Sequence, residues 1–198
     1  DVSFPLKYTQ RCVDAVLGGH KGSSDLSEEQ LTWLVLAELE RCLQDASFHR
    51  LKHYLKNDER GVKRFQLARR LGTLFDRYVT YRPDMVRAWS RGESGDVNEA
   101  NLWQPELWRR IEPALGGRHF AAVEADWHAR AHSIKERPEG LPPRICVFGI
   151  SSLPPPYLRL LAACSRWVET HVFVFSPSDK DWWNTTSRVQ WAQLVSEG

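Results

Sequence analysis

The sequence predicts a mainly α fold with a small α/β part at its carboxyl end. Amphipathic repeats separated by capping residues and glycines fill the first two thirds of the chain, which favours consecutive helices. After the turn-rich linker Pro138–Pro143 the pattern changes to short apolar runs, which are typical of buried strands. We therefore predict two domains, a helical one over residues 1–137 and a smaller strand-containing one over residues 144–198.

Apolar spacing and capping residues predict the amino-terminal helices. Residues 4–17 form a short helix that a glycine pair ends. Ser27 and Gln30 make the capping box of a helix that continues to about Gln44. Ser47 caps the next helix. The apolar residues of that helix lie on one face and are Phe48, Leu51, Tyr54 and Leu55.

The stretch Arg64–Trp89 is the centre of the predicted helical domain. Pro83 can occupy the first position of its second helix, which places Arg82 in the turn, near the polar face of the first helix. A broad apolar stripe on the first helix is formed by Leu67, Leu71, Leu74, Phe75, Tyr78 and Val79. The opposite, polar face carries Arg69, Arg70, Thr73, Asp76, Arg77 and Thr80. A polar loop and two helices are expected next, over residues 92–101, 105–115 and 119–134.

Two apolar runs, Arg144–Ile150 and Thr170–Phe175, are typical of strands buried on both faces. The segment 154–165 between them is predicted to be helical. A strand, a helix and a strand of this kind predict a parallel βαβ unit with a right-handed crossover. Two strands do not complete such a sheet, so we expect its other strands from sequence outside residues 1–198, or from self-association.

Positive charge is concentrated in one part of the chain. Residues 50–91 contain twelve Lys or Arg and four Asp or Glu, a net charge of +8, whereas the whole chain carries +2. A basic patch of this kind is what phosphate binding requires. Charged residues opposite an apolar stripe are, however, often only a solvated helix face, and both interpretations stay open here.

Cysteines and hydropathy indicate the cellular setting. The cysteines are widely separated and lack a C-x-x-C motif, which favours buried free thiols over disulfides or a zinc site: Cys12, Cys42, Cys146 and Cys164. No apolar run is long enough to span a bilayer, and the start of the chain has no signal-peptide layout. We therefore expect a cytoplasmic protein without a membrane partner.

Catalytic motifs are missing from residues 1–198. There is no phosphate-binding G-x-x-x-x-G-K-[ST] loop and no [DE]-x-K triplet of a nuclease. The segment 144–168 has no Asp or Glu, although an ATPase sheet needs an acid to hold magnesium. Two histidine pairs, His49 with His53 and His128 with His132, lack the acid of H-E-x-x-H and favour surface positions. We expect no catalytic residue, metal or cofactor in this sequence.

Tryptophans at helical spacing beside Leu, Val and Ile are predicted core residues rather than base-stacking platforms: Trp89, Trp103, Trp108 and Trp127. For Trp182 and Trp183, which lie in a polar segment, a core position and an interface position are both open.

Four ordered segments resemble the RecC family, the gamma subunit of RecBCD-type exodeoxyribonuclease V. The longest, FQLARRLGTLFDRYVTYRPDMVRAW at residues 65–89, is similar to the family pattern FQLA-x-x-x-A-D-LFDQY-x-x-YRPDW-x-x-x-W. The others are Phe4-Pro5-Leu6, WQPELW at 103–108 and VFGISSLPP at 147–155. Because family members are several times longer, and the chain has no initiator Met, we expect residues 1–198 to be a fragment of a larger subunit.

The resemblance implies a non-catalytic, DNA-handling subunit that acts in double-strand break repair and recombination. Its partners are a RecB-like helicase-nuclease and a RecD-like helicase, which use ATP and magnesium. Residues 1–137 are then a 1B-like helical subdomain of superfamily 1 type, inserted into an inactivated RecA-like, 1A-like domain. Two alternatives are an active superfamily 1 helicase or nuclease, and a scaffold that only docks the partner helicase-nuclease.

The resemblance also implies a DNA-binding site. In the family, the LFDQY helix and the YRPD turn line a channel for the unwound 3′-ended single strand and take part in recognising a hotspot sequence. Matching positions retained here are Leu6, Leu74, Asp76 and Arg82. Thr73 and Arg77 stand where the family more usually has Asp and Gln. These departures affect hotspot reading more than strand binding, because phosphate contact needs only charge.

Each matching residue has a physical role available. Arg82 can bind a phosphate or a guanine edge, and Asp76 can accept from a cytosine amino group or orient Arg82. Leu6 and Leu74 can pack on base faces. We therefore predict single-strand binding at the YRPD turn and the polar face that precedes it.

Overall fold

The computed structural model describes residues 5–18, 27–95, 97–149, 153–173 and 175, with the backbone alone for Pro5 and Leu6. In this part of the chain the helices are α1 (Pro5–Leu17), α2 (Glu28–Cys42), α3 (His49–Tyr54), α4 (Val62–Tyr81), α5 (Pro83–Ser90), α6 (Trp103–Leu115), α7 (Phe120–Ala131) and α8 (Pro155–Cys164). The strands are β1 (Arg144–Phe148) and β2 (Glu169–Phe173). The mainly α prediction with a small two-stranded part is confirmed.

Helices α2 and α4 form the most extensive helix pair among the described residues, and they run antiparallel. The predicted capping box starts α2: Ser27 Oγ accepts from Gln30 N, and Gln30 Oε1 accepts from Ser27 N, both at 3.1 Å. Gly72 of α4 lies against Thr32 of α2, where an added Cβ would be 2.5 Å from Thr32 Oγ1 and 2.9 Å from Thr32 N. The two backbones therefore approach to a distance that only glycine permits.

The first hydrophobic core lies between α2, α4, α5 and α6. On α4 the predicted stripe is confirmed in Leu71, Phe75 and Val79, which are buried, together with the small residues Ala68 and Gly72. The remaining predicted stripe residues lie half-buried at the edge of this core: Leu67, Leu74 and Tyr78. The buried stripe is rotated toward α2 because the small residues allow close contact there.

The cap predicted before α3 is wrong. Asp45, not Ser47, is the capping residue: its Oδ1 accepts from Ser47 N at 2.9 Å and begins a 3-10 turn over Ala46–Phe48. The α-helix itself begins at His49. Tyr54, predicted on the apolar face, is half exposed.

A second core joins α1, α7 and α8. Its centre is Trp127, whose Nε1 donates to the carbonyl of Cys12 at 2.8 Å, and Leu160 and Cys164 of α8 are fully buried against this group. Since α1 and α7 precede the predicted domain boundary and α8 follows it, this core takes residues from both sides of that boundary. The division into two domains stays a prediction.

Strands β1 and β2 pair in parallel, from Arg144 opposite Glu169 to Phe148 opposite Phe173. This confirms the parallel arrangement, but the predicted burial on both faces is wrong for these residues. Phe148 is 64% exposed, Val172 61% and Phe173 52%. The rings of Phe148 and Phe173 stack on each other at 4.3 Å. Apolar strands become buried only when neighbours cover them, and the described part of the chain supplies no third strand.

Core predictions for cysteine and tryptophan are largely confirmed. Three of the four free cysteines are buried, whereas Cys146 is exposed because it lies on the open strand β1. Trp89, Trp108 and Trp127 are fully buried, and Trp103 packs half-buried against the first core. Trp182 and Trp183 lie outside the described residues.

Two further features agree with the sequence. Three of the four paired histidines are exposed, and His128 is half-buried: the exposed ones are His49, His53 and His132. Among the described helices none has the length and apolar composition to cross a bilayer.

Candidate nucleic-acid interface

The side of α4 that faces away from the first core carries cations without carboxylate partners. Arg69, Arg70 and Arg77 are exposed, and no guanidinium among them forms an ion pair or hydrogen bond with another described residue. Arg69, Thr73 and Arg77 follow one another at four-residue spacing, which makes each a neighbour of the next on the helix surface. This side therefore offers free positive charge to an external anion.

Arg82 is a further exposed arginine, in the turn between α4 and α5. Its backbone leaves the helical region (φ −134°, ψ 52°), while its N–H still donates to the Tyr78 carbonyl at 2.9 Å. Pro83 occupies the first position of α5, as predicted. The Arg82 side chain is exposed and, within the described ranges, has no hydrogen-bond or ion-pair partner. It is therefore available to bind a phosphate.

Neighbouring arginines differ because they are already paired. Arg64 bonds Glu40 of α2, Arg87 bonds Asp84, and Arg91 Nε lies 2.9 Å from Glu93 Oε1. The local net charge alone does not distinguish these arginines from the free ones. We define the cationic row as the four exposed arginines of α4 and the turn after it that form no ion pair with a described residue: Arg69, Arg70, Arg77 and Arg82.

A groove of about 410 Å³ opens beside Arg82, between α4, α5 and the start of α6. Its amide side chains come from the loop before α6 and from α6 itself: Asn98, Asn101 and Gln104. Gln104 Oε1 accepts from the Tyr78 hydroxyl at 3.2 Å. Sequence reasoning missed this groove because separate segments line it and no single motif contains them. Amides, an aromatic ring and a guanidinium together suit a planar polar group.

Three predicted site residues are partly engaged within the protein. The Thr73 hydroxyl donates to Glu28 Oε1 of α2 at 2.7 Å, and Leu74 packs half-buried against the first core. Asp76 is half-buried, and burial raises the pKa of its carboxyl; nearby Glu28 raises it further, whereas Arg77 opposes the rise. Asp76 forms no ion pair with Arg82, so the proposed orienting role of Asp76 on Arg82 has no contact to support it. The Leu6 side chain lies outside the described residues.

The family profile described as RecC, N-terminal domain matches residues 1–197. The chain belongs to the RecC family. Relatives named RecBCD enzyme subunit RecC are 31% identical over 202 residues in Escherichia coli K12 and 29% over 181 residues in Haemophilus influenzae Rd. These alignments cover 99% and 78% of this chain, but 18% and 16% of the relatives.

A third RecC relative, from Mycobacterium tuberculosis H37Rv, is 30% identical over 169 residues, which is 79% of this chain and 15% of that protein. The resemblance stated from the ordered motifs is therefore confirmed. The chain spans less than a fifth of the length of these RecC relatives.

Within this RecC-family chain, a buried ionic cluster supports the turn that holds Arg82. Glu124 of α7 is 2% exposed, and its carboxylate accepts from Arg87 Nη1 at 3.1 Å and from Arg159 Nη2 at 3.0 Å. Arg87 also donates to the Ala121 carbonyl at 2.8 Å. The cluster joins α5, α7 and α8. Sequence reasoning missed it, although Glu124 within the largely apolar segment FAAVEADW was a signal.

Replacing Asp76 with asparagine is expected to stabilise the folded protein at neutral pH. The raised pKa means that the folded state disfavours the ionised carboxylate, and an amide removes that charge. Since the folded pKa exceeds the unfolded value of about 3.9, protonation favours the folded state. The gain in the free energy of unfolding of the Asp76→Asn variant over the parent is therefore fully present above the pKa of Asp76 in the folded state. It shrinks as the pH falls toward the pKa of Asp76 in the unfolded state.

Thermal unfolding of the full-length subunit between pH 4 and pH 8 measures this difference. The control is Asp84→Asn, because Asp84 is exposed and paired with Arg87. An Asp76→Asn variant that is less stable than the parent at pH 8 would contradict the prediction.

Proposed function

We propose that residues 1–198 belong to a non-catalytic, DNA-handling RecC-type subunit and contact the phosphate backbone of an unwound 3′-ended single strand. The whole subunit acts in an exodeoxyribonuclease V complex during double-strand break repair and recombination. Its partners there are a RecB-like helicase-nuclease and a RecD-like helicase, which hydrolyse ATP with magnesium. The membership in the RecC family and the names of the relatives support this part of the proposal.

The observation that carries the DNA-binding part is the unpaired state of the cationic row. From Arg69 to the turn at Arg82 the row extends roughly 20 Å at a helical rise of about 1.5 Å per residue. That length is several times the axial spacing of the phosphates on one strand of a duplex, which is roughly 3.4 Å. The row can therefore contact several phosphates without rearranging ion pairs inside the protein.

Reading of a hotspot sequence requires fixed partners for base edges, unlike phosphate binding. Thr73 is bonded to Glu28, and Leu74 packs against the core, so neither is free to read a base edge. Base reading at this site therefore depends on Asp76 and on Arg82 with the amide-lined groove beside it, which Asp76 does not line. We restrict the central proposal to strand binding.

We infer the domain organisation on separate grounds. Helices α1–α7 correspond to a 1B-like helical subdomain, and β1, α8 and β2 correspond to part of an inactive RecA-like sheet. The parallel register of the strands supports this assignment. So does the exposure of Phe148, Val172 and Phe173, which further strands of a longer subunit cover.

Substitution of both Arg77 and Arg82 with glutamine tests the proposed contact. Each lost phosphate contact lowers the salt dependence of single-strand binding by about 0.7 in the log–log slope. We therefore expect the double variant to bind a 3′-tailed fork about 10-fold more weakly near 0.1 M salt, with a slope smaller by about 1.4. The measurement is a titration of fluorescent fork DNA with the full-length subunit at several salt concentrations.

The matched control removes the same two charges from paired positions, as Arg91→Gln with Arg144→Gln. Because Glu93 and Glu169 already bind these two arginines, affinity and slope should stay close to the parent values. The contact surface is wrongly assigned if the Arg77/Arg82 variant keeps the parent slope, or if both double variants lose affinity equally. ATP hydrolysis by the purified full-length subunit would instead favour the active-helicase alternative.

A further inference from the structure

Two aromatic side chains lie exposed next to each other on the surface of the α2–α4 pair. Trp33 of α2 is 55% exposed and Phe65 of α4 is 42% exposed. Their ring centroids are 6.0 Å apart and the ring planes meet at 51°. Neither ring belongs to the first or the second core. We call these two residues the aromatic pair.

The aromatic pair continues the cationic row. Phe65 precedes Arg69 by four residues on α4, so the two side chains are neighbours on the helix surface. The distance along the helix from Phe65 to Arg77 is roughly 18 Å. A strand that contacts Arg69 with a phosphate therefore passes beside the aromatic pair.

An unpaired cation lies beside the aromatic pair. Arg69 is exposed on α4 and forms no ion pair with a described residue. Lys63 is exposed as well, but it lies close to Asp58, and its Nζ donates to the Lys56 carbonyl at 3.5 Å. On α2, Glu40 is bound by Arg64 and Glu28 accepts from Thr73, whereas Glu29, one turn before Trp33, is exposed. The attraction for a phosphate next to the rings therefore comes from Arg69.

The aromatic pair is held in a defined position. Gly72 and Thr32 bring the two helices into close contact, with space for no Cβ at position 72. Arg64 and Glu40 add a second link between the same helices. Since the backbones cannot slide independently, the two rings keep their mutual geometry when a ligand approaches.

We propose that Trp33 and Phe65 form a stacking platform for bases of the single strand whose phosphates contact the cationic row. This rests on the proposed function, because the cations hold the strand that the rings stack upon. Base–aromatic stacking is tolerant of sequence, since every base has a π face. The platform therefore adds affinity along the strand and leaves any sequence reading to the groove beside Arg82.

Photocrosslinking tests the platform directly. The probe is a fork whose 3′ arm carries 5-iodouracil at successive positions, bound to the full-length subunit assembled with its partner subunits. Irradiation at long ultraviolet wavelength joins iodouracil to an aromatic ring in stacking contact, and mass spectrometry identifies the peptide. We expect crosslinks to Trp33 or Phe65 from a limited set of arm positions.

Substitutions separate stacking from simple apolar contact. Trp33→Leu with Phe65→Leu keeps apolar area but removes both rings, and should abolish these crosslinks. Arm binding by the full-length subunit should weaken about 5- to 150-fold, the loss of about 1–3 kcal/mol for one stacked base. The salt slope should stay unchanged, because no phosphate contact is lost. Trp33→Phe with Phe65→Tyr keeps the rings and should retain both crosslink and affinity.

The control is Tyr54→Leu, which removes a half-exposed ring of α3 outside the cationic row. Crosslinks near Arg77 and Arg82 without any at Trp33 or Phe65 overturn the platform and leave the proposed function standing. Loss of assembly with the partner subunits in the leucine variant, with arm binding unchanged, overturns the platform in favour of a protein contact. Absence of crosslinks at Trp33 and Phe65 overturns the platform, whereas the proposed function is overturned separately, by an unchanged salt slope in the Arg77/Arg82 variant.

Discussion

Replacing Trp108 with alanine is expected to lower the free energy of unfolding of the helical region by about 3–5 kcal/mol. Trp108 is fully buried at the centre of the first core. Its ring meets Phe75 of α4 edge-to-face at 5.7 Å and His119, the cap of α7, at 5.2 Å. Its Nε1 donates to Ser90 Oγ at the end of α5, at 3.0 Å. One side chain thus contacts the elements on both sides of the YRPD turn.

Amide hydrogen exchange in the full-length subunit measures this effect locally. Because exchange of core amides reports the opening free energy, protection in α4 and α6 should fall more than 100-fold. The control is Trp103→Ala, which removes the same side chain from a half-buried position at the edge of this core. If protection in α4 and α6 falls as much or more in the Trp103→Ala variant, Trp108 is not the main stabilising side chain of this core.

Local signals in the sequence were sufficient for most helix boundaries. Ser27 and Gln30 cap α2 within three residues of each other, and Pro83 begins α5, so each signal and its result belong to one segment. Prediction was less successful where the local structure depends on a residue that is distant in the sequence. Asp45 and Ser47 are both capping types, and Asp45 receives a 2.6 Å bond from Arg110, 65 residues away.

Packing between distant segments explains the other differences. From the sequence alone, Gly72 is an unfavourable residue inside a helix. The structure shows that Gly72 allows α4 to approach Thr32 of α2 closely. The strands were predicted from their apolar composition, which indicates that other residues must cover them but not which residues do so. Within the described part of the chain nothing covers the outer faces of these strands, so their apolar side chains are exposed.

The candidate site shows the same division between local and distant information. The sequence indicated where positive charge accumulates, and this part of the interpretation agrees with the exposed cationic row. It could not indicate which cations are free, because pairing depends on acids from other elements, such as Glu40 for Arg64. The groove beside Arg82 likewise depends on the loop before α6 and on Gln104 of α6, which lies 22 residues after Arg82 in the chain.

Replacing Glu124 with glutamine is expected to lower the free energy of unfolding by about 2–3 kcal/mol. Loss of one partner from a buried ion pair commonly costs about 3–5 kcal/mol. The cost is smaller here because the partner side chains reach solvent: Arg87 is 26% exposed and Arg159 46%. The amide keeps the shape of the side chain but leaves both guanidinium groups without a buried countercharge.

The Glu124→Gln variant also links stability to the proposed DNA contact. Arg87 bonds both Glu124 and Asp84, and Asp84 follows Arg82 by two residues, so a loosened Arg87 frees the turn that holds Arg82. In the Glu124→Gln variant, opening of α5 should therefore become more frequent, and fork binding should weaken modestly. Asp84→Asn changes an exposed partner of Arg87 and should lower the free energy of unfolding by less than about 1 kcal/mol. Hydrogen exchange in α5 and fork titration of both variants measure the two effects. If Asp84→Asn increases hydrogen exchange in α5 and weakens fork binding as much as Glu124→Gln does, the exposed Arg87–Asp84 pair supports the turn and the buried cluster does not.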